Sequence, residues 1–125
     1  MTKILVIDDD ARDRGLLVAV LEEKGYEVIC ANNSRIGLIL CHQGPPDAVV
    51  LDLDMPGIDG FRILQQLRIL HPTLPVIVLS GHSPQEVEEE TLNQGARAFI
   101  QKAFSLDLLG SALREVLPSP TRAER

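Results

Sequence analysis

Short apolar runs alternate along the chain with longer segments in which apolar residues recur every three or four positions. The runs are Ile4-Leu5-Val6-Ile7, Tyr26 to Ala31, Ala48-Val49-Val50-Leu51, Val76-Ile77-Val78-Leu79 and Ala98-Phe99-Ile100. Four of them are unbroken, as strands covered on both faces of a parallel sheet are. The run Tyr26 to Ala31 is less apolar and is expected nearer the sheet edge. The intervening segments read as helices. After Asp10, the residues Leu16, Leu17, Val20 and Leu21 mark one helical face, and Gly25 closes that helix. Ser34 is expected to cap a second helix carrying Ile36, Ile39 and Leu40, which ends at Gly44-Pro45-Pro46. A third begins near Asp59, carries Phe61, Leu64, Leu67 and Ile69, and stops before Pro72. In Ser83-Pro84-Gln85-Glu86 a capping serine, a proline at the first helical position and a capping-box glutamate start a fourth, which ends near Gly95. A fifth follows Ser105 with Leu108, Leu109, Ala112, Leu113 and Val116. Strands alternating with helices predict βαβ units and a mostly parallel α/β sheet.

The residues that end these runs carry the chemistry. Asp8-Asp9 follow the first run, Asp52 the third and Ser80 the fourth, while Lys102 follows the fifth after Gln101. In open α/β sheets, ligands bind just past the carboxyl ends of the strands. Acid pair, lone acid, hydroxyl and lysine therefore converge on one edge, although they lie far apart in sequence. Together they suit a phosphoryl group and a metal ion.

Composition narrows the reading. A chain of 125 residues is one domain by size, with a core expected. Hydrophobic residues make up 45% and charged residues 24%, as in an ordinary soluble domain. A formal net charge of -6 argues against direct nucleic-acid binding, which needs a basic surface. No apolar stretch approaches the roughly 20 residues of a membrane span, and Met1-Thr2-Lys3 leads straight into a strand rather than a signal peptide. Cys30 and Cys41 lack metal or redox spacing and are expected to be small buried hydrophobes in a reducing, cytoplasmic setting, with a disulfide between them left open. Glu88-Glu89-Glu90 reads as a solvated helix face. The stretch from Pro118 to Arg125 is polar, with two prolines, and reads as a linker or frayed tail after a domain spanning 1–117.

Val6-Ile7-Asp8-Asp9-Asp10, Leu51-Asp52-Leu53-Asp54-Met55-Pro56-Gly57-Ile58-Asp59-Gly60, Leu79-Ser80-Gly81 and Lys102 together resemble the receiver domain of two-component response regulators. The resemblance covers residues 2 to 117. It implies a flavodoxin-like doubly wound (βα)5 fold, a five-stranded parallel sheet in the order 2-1-3-4-5, and helices on both faces. It implies that Asp52 accepts a phosphoryl group from a sensor histidine kinase or a histidine phosphotransfer protein. The acyl phosphate so formed is one that an aspartate nucleophile supports.

The resemblance also assigns roles around Asp52. Asp8, Asp9, Asp52 and the backbone carbonyl of Asp54 would hold Mg2+, or Mn2+ in its place, with Asp9 the more direct ligand and Asp8 acting through water. Asp10 reads separately as a helix cap. Lys102 would pair with the carboxylate and then with the phosphoryl oxygens. Ser80 would donate a hydrogen bond to the phosphoryl group, and Phe99 would change rotamer with that movement. Asp54 and His82, each two positions beyond a key residue, would tune the lifetime of the acyl phosphate. The face made by the fourth helix, fifth strand and fifth helix would engage targets or a second copy. One departure stands out: the family usually has proline after the lysine, often in a cis bond, and this chain has Ala103. A non-proline cis bond costs about 3–4 kcal/mol. Either a trans bond with a shifted loop or a strained cis bond is therefore expected, with Lys102 held less firmly.

Two other functions compete. One is a degenerate receiver that serves as a phosphorylation-independent interaction module, which only Ala103 favours. The other is a haloacid-dehalogenase-type phosphatase, whose Asp-x-Asp motif Asp52-Leu53-Asp54 mimics. That motif usually follows the first strand of its fold, whereas here it follows the third.

Overall fold

A computed structural model describes residues 1–55, 60–81, 85–102 and 105–117. Five strands and five helices alternate: β1 (Lys3–Ile7), α1 (Ala11–Glu23), β2 (Glu27–Ala31), α2 (Ser34–Gln43), β3 (Ala48–Asp52), α3 (Gly60–Leu70), β4 (Val76–Ser80), α4 (Gln85–Asn93), β5 (Ala98–Gln101) and α5 (Ser105–Val116). The strands form one parallel sheet in the order β2-β1-β3-β4-β5. Fold class, strand order and strand count agree with the sequence reading.

Alternation of side chains along each strand divides the core between the two sheet faces. Leu5, Ile7, Val49, Leu51, Val76 and Val78 pack with Ile63, Leu64 and Leu67 of α3 and Cys41 of α2. Ile4, Val6, Val50, Ile77 and Leu79 pack with Leu17 and Leu21 of α1 and with Leu109 and Leu113 of α5. Every residue of β3 and β4 is buried, whereas β2, at the edge, buries only Ala31. Because β3 and β4 run through Asp52 and Ser80, those two polar side chains are carried into the buried layer by the strands themselves.

Several local expectations are corrected. The cap of α2 is Asn33, whose side chain accepts a hydrogen bond from the Ile36 amide at 2.8 Å; Ser34 is the first helical residue and is buried. The inner face of α2 is Ser34, Gly37 and Cys41, while Ile36 and Ile39 are exposed. Gly37 is what allows this: a Cβ there would meet the Ile7 side chain, so the helix lies close on β1 and turns its isoleucines outward. Leu16, Ile69 and Leu108 are likewise exposed, and Ile63 replaces Ile69 on the inner face of α3. Cys30 is exposed rather than buried, Cys41 is buried as expected, and both are free thiols. The Ser83-Pro84 start of α4, the 56–59 loop, the side chains of Glu86 and Ser105, and the 118–125 stretch lie outside the described residues.

Gly60 ties the fold to the site. A Cβ there would lie 2.8 Å from the carbonyl oxygen of Leu53, the residue after Asp52. The start of α3 thus rests against the backbone that leaves β3. Gly15, by contrast, lies mid-helix in α1 with nothing near its missing Cβ. Gly60→Ala is expected to destabilise by about 1–3 kcal/mol through overpacking, whereas Gly15→Ala should stabilise by about 0.5–1 kcal/mol through helix propensity. Urea denaturation of the two variants checks this, and equal stabilities would contradict the assigned contact.

Candidate functional site

The carboxyl ends of β1, β3 and β4 and the residue after β5 meet at one edge. Register makes this possible: Ile7 pairs with Leu51 across β1 and β3, Asp52 pairs with Leu79 across β3 and β4, and Ser80 pairs with Gln101 across β4 and β5. The residues that follow or end these strands are therefore neighbours in space.

Asp8 and Asp52 are almost fully buried, at 1% and 2% exposed, while Asp9 is exposed. One carboxylate oxygen from each of Asp8, Asp9 and Asp52 lies within 4.8 Å of the other two. Buried carboxylates need partners, and these have some. Asp8 Oδ1 accepts from the Asp10 amide at 2.9 Å, and Asp52 Oδ1 accepts from the Asp54 amide at 2.9 Å. Asp52 Oδ2 lies 3.1 Å from Lys102 Nζ. Asp8 Oδ2, however, is buried with no hydrogen-bond partner among the described residues. A crowded all-oxygen set with an orphaned buried carboxylate oxygen fits a hard divalent cation.

The electrostatics follow from this crowding. Burial pushes the Asp8 carboxyl up to about 6; the Asp10 N–H and the Lys102 charge oppose that shift and the Asp52 charge adds to it. Partial burial disfavours the Lys102 ammonium, but the hydrogen bond and charge of Asp52, with help from Asp8 and Asp13, outweigh it and hold the group well above the ordinary lysine range.

Ser80 Oγ is fully buried and donates to Asp54 Oδ1 at 2.9 Å, and the Gly81 amide donates to Asp54 Oδ2. The side chain of Asp54 thus holds the end of β4. Phe99 sits one layer deeper, half-buried on β5 opposite Val78, in the core half that faces α2 and α3. His82 lies outside the described residues, as does Ala103. Lys102 itself is held against Asp52 all the same.

Asp10 behaves as expected of a cap. Its Oδ1 accepts from the amides of Arg12 and Asp13 at 2.8 and 3.0 Å, and the Asp13 amide bond leads in holding its carboxyl below the usual range. Two residues escaped the sequence reading. Arg14 donates to the Asp8 carbonyl oxygen at 2.9 Å, and Asp13 Oδ2 lies 3.3 Å from Lys102 Nζ. Both stand in the first turns of α1 beside the acid pair. That proximity was the available signal, but nothing in the sequence links Asp13 to a lysine 89 positions away.

The model of the response regulator receiver domain family matches residues 4–114. This chain belongs to that family. As a receiver of two-component signalling it is similar to sporulation initiation phosphotransferase F of Bacillus subtilis (strain 168), at 31% identity over 93% of this chain and 94% of that protein. It is also 33% identical to regulatory protein AtoC of Escherichia coli (strain K12), over 94% of this chain and 25% of that protein. The receiver thus spans about a quarter of AtoC and nearly the whole of the phosphotransferase. Among solved structures, response regulator protein TrrA from Thermotoga maritima, described in complex with Mg2+ and BeF, superposes with a TM-score of 0.84 at 32% identity, covering 94% of this chain and 100% of that one. Chemotaxis protein CheY4 of Vibrio cholerae superposes with a TM-score of 0.87 at 28% identity, covering 94% and 99%.

The raised Asp8 carboxyl sets a pH dependence. A carboxyl whose folded pKa lies above its ordinary 3.8 destabilises once ionised. The penalty is absent below about pH 4, grows toward pH 6 and is constant above it. Without metal, the Asp8→Asn receiver should be more stable than the wild type at pH 7, with the difference shrinking toward zero at pH 4. Denaturant titrations at the two pH values measure it, and a difference that does not change with pH would contradict the assignment.

Proposed function

We propose that this receiver is a phospho-acceptor, phosphorylated on Asp52 by a sensor histidine kinase or a histidine phosphotransfer protein, and that phosphorylation switches a protein-binding surface. The observation that carries the reading is the 3.1 Å pairing of Lys102 with the buried Asp52 beside the Asp8-Asp9 pair. An Asp52 carboxylate oxygen attacks phosphorus as the bond from phosphorus to the donor atom breaks, leaving an acyl phosphate on the strand end. Lys102 follows the charge from the carboxylate to the phosphoryl oxygens on its flexible stem. Asp8, Asp9 and Asp52, with the Asp54 carbonyl, are the residues to hold Mg2+ or Mn2+. A cation bound there supplies charge compensation at the phosphoryl oxygens.

Ser80 and Phe99 are the switch pair in this reading, and Asp54 and His82 set the lifetime. The Ser80 hydroxyl donates to Asp54 in the unphosphorylated chain, so its transfer to a phosphoryl oxygen breaks a specific bond and gives the switch two discrete states. The α4, β5 and α5 face is the surface for a target or a second copy. Residues 1–117 form the working unit and 118–125 a linker or tail. No described helix is long and apolar enough to cross a membrane, and we place the receiver in the cytoplasm without direct contact to nucleic acid. Its only catalysis is its own phosphorylation and dephosphorylation. A phosphorylation-independent module is disfavoured, because Lys102 reaches Asp52 although Ala103 follows it.

Intact mass after incubation with Mg2+ and a small-molecule phosphodonor tests the reading. One phosphoryl group should be gained by the wild type, none without Mg2+, and none by Asp52→Asn. A folded wild type that gains nothing would refute phospho-acceptance.

A further inference from the structure

Asp13 is an acidic side chain at the site that belongs neither to the metal-ligating cluster nor to the cap of α1. Its place is fixed from two sides. The Asp13 amide is bound by the Asp10 cap at 3.0 Å, and the next residue, Arg14, is tied to the Asp8 carbonyl at 2.9 Å. This turn of α1 is thereby docked on the end of β1, and Asp13 Oδ2 comes within 3.3 Å of Lys102 Nζ. Lys102 stands between two carboxylates of opposite exposure: Asp52 at 2% and Asp13 at 41% of the side chain. Asp8, Asp13 and Lys102 also line a cavity of about 100 Å³, together with Leu16, Leu79 and Leu106.

We propose that Asp13 is a positioning residue for phosphoryl transfer to Asp52: it gives the Lys102 ammonium a second anchor that the reaction does not consume. The proposal rests on the phospho-acceptor reading above. The need for an anchor is physical. Lys102 lies one residue past the last rung of the β4–β5 ladder, Ser80 with Gln101. Its four-carbon stem is flexible, and the carboxylate it pairs with is the group that changes identity when the phosphoryl group arrives. The Asp52 contact must therefore be remade during the reaction, whereas the Asp13 contact need not be. Asp13 keeps the ammonium at the mouth of the site while Asp52 turns over. An exposed ion pair of this kind adds little to stability by itself, so its effect falls on the placement of the lysine.

The test compares phosphorylation by the small-molecule donor in wild type, Asp13→Asn, Asp13→Glu, Lys102→Ala and the Asp13→Asn/Lys102→Ala double variant. Asp13→Asn should slow the maximal rate by roughly 2- to 5-fold, the size expected of a half-exposed ion pair. The donor concentration for half-maximal rate should stay unchanged. Asp13→Glu should recover most of the rate, and Asp13→Asn should have no further effect once Lys102 is alanine. An unchanged rate in Asp13→Asn, or an equal slowing in the Lys102→Ala background, would overturn the proposal. A second readout needs no phosphorylation and so separates this proposal from the reading beneath it. At low temperature, the 1H–15N correlation of the Lys102 ammonium should be sharp in metal-free wild type and Asp13→Glu and lost in Asp13→Asn. Its persistence unchanged in Asp13→Asn would overturn the proposal even if the wild type accepted no phosphoryl group.

Discussion

The crowding of carboxylates at the ends of two adjacent strands is the constraint that the rest of this receiver answers. Parallel pairing of β1 with β3 brings Asp8, Asp9 and Asp52 together, and burial of Asp8 and Asp52 removes the water that would otherwise screen them. Like charges at such separations, in a partly buried site, repel strongly. Each nearby feature relieves that repulsion. The Asp10 and Asp54 amides each donate to a buried carboxylate, and Lys102 supplies a positive charge. The same amides and ammonium suit the added negative charge of a phosphoryl group, and the clustered carboxylates suit a cation.

The ends of β3 and β4 are joined through one side chain, that of Asp54. Asp54 is two residues from Asp52, and its carboxylate holds both Ser80 and Gly81 where β4 gives way to the next loop. Gly60 lets α3 rest on the Leu53 carbonyl between them. A change of charge on Asp52 therefore meets the hydrogen bonds that fix the end of β4 with only one residue intervening. Small shifts at such a junction propagate because the neighbouring core is close-packed.

Strand order, the sheet edge that carries the site, and Asp8, Asp9, Asp52, Ser80 and Lys102 were legible because unbroken apolar runs locate buried strands and the next polar residue marks their ends. What was not legible depends on tertiary contact. Leu16, Ile36, Ile39 and Ile69 fit the helical period but face solvent; in α2 the close approach at Gly37 decides which stripe is buried. Asn33 and Ser34 are both good caps, and only the backbone separates them. Cys30 sits between half-buried Ile29 and buried Ala31 yet is exposed, since β2 is an edge strand. Asp13 and Arg14 fall in none of the motifs read from the sequence. Their partners, Lys102 and the Asp8 carbonyl, become visible only when α1 is laid against the sheet.

The central claim is that the carboxylate cluster is a cation site that prepares Asp52 for phosphoryl transfer. Its most direct test is a Mg2+ titration of the metal-free protein followed by 1H–15N NMR. The account predicts saturable shifts that begin at residues 8–10 and 52–54, and that disappear in Asp9→Asn. No saturable shift in the wild type, or the same shifts in Asp9→Asn, would contradict it.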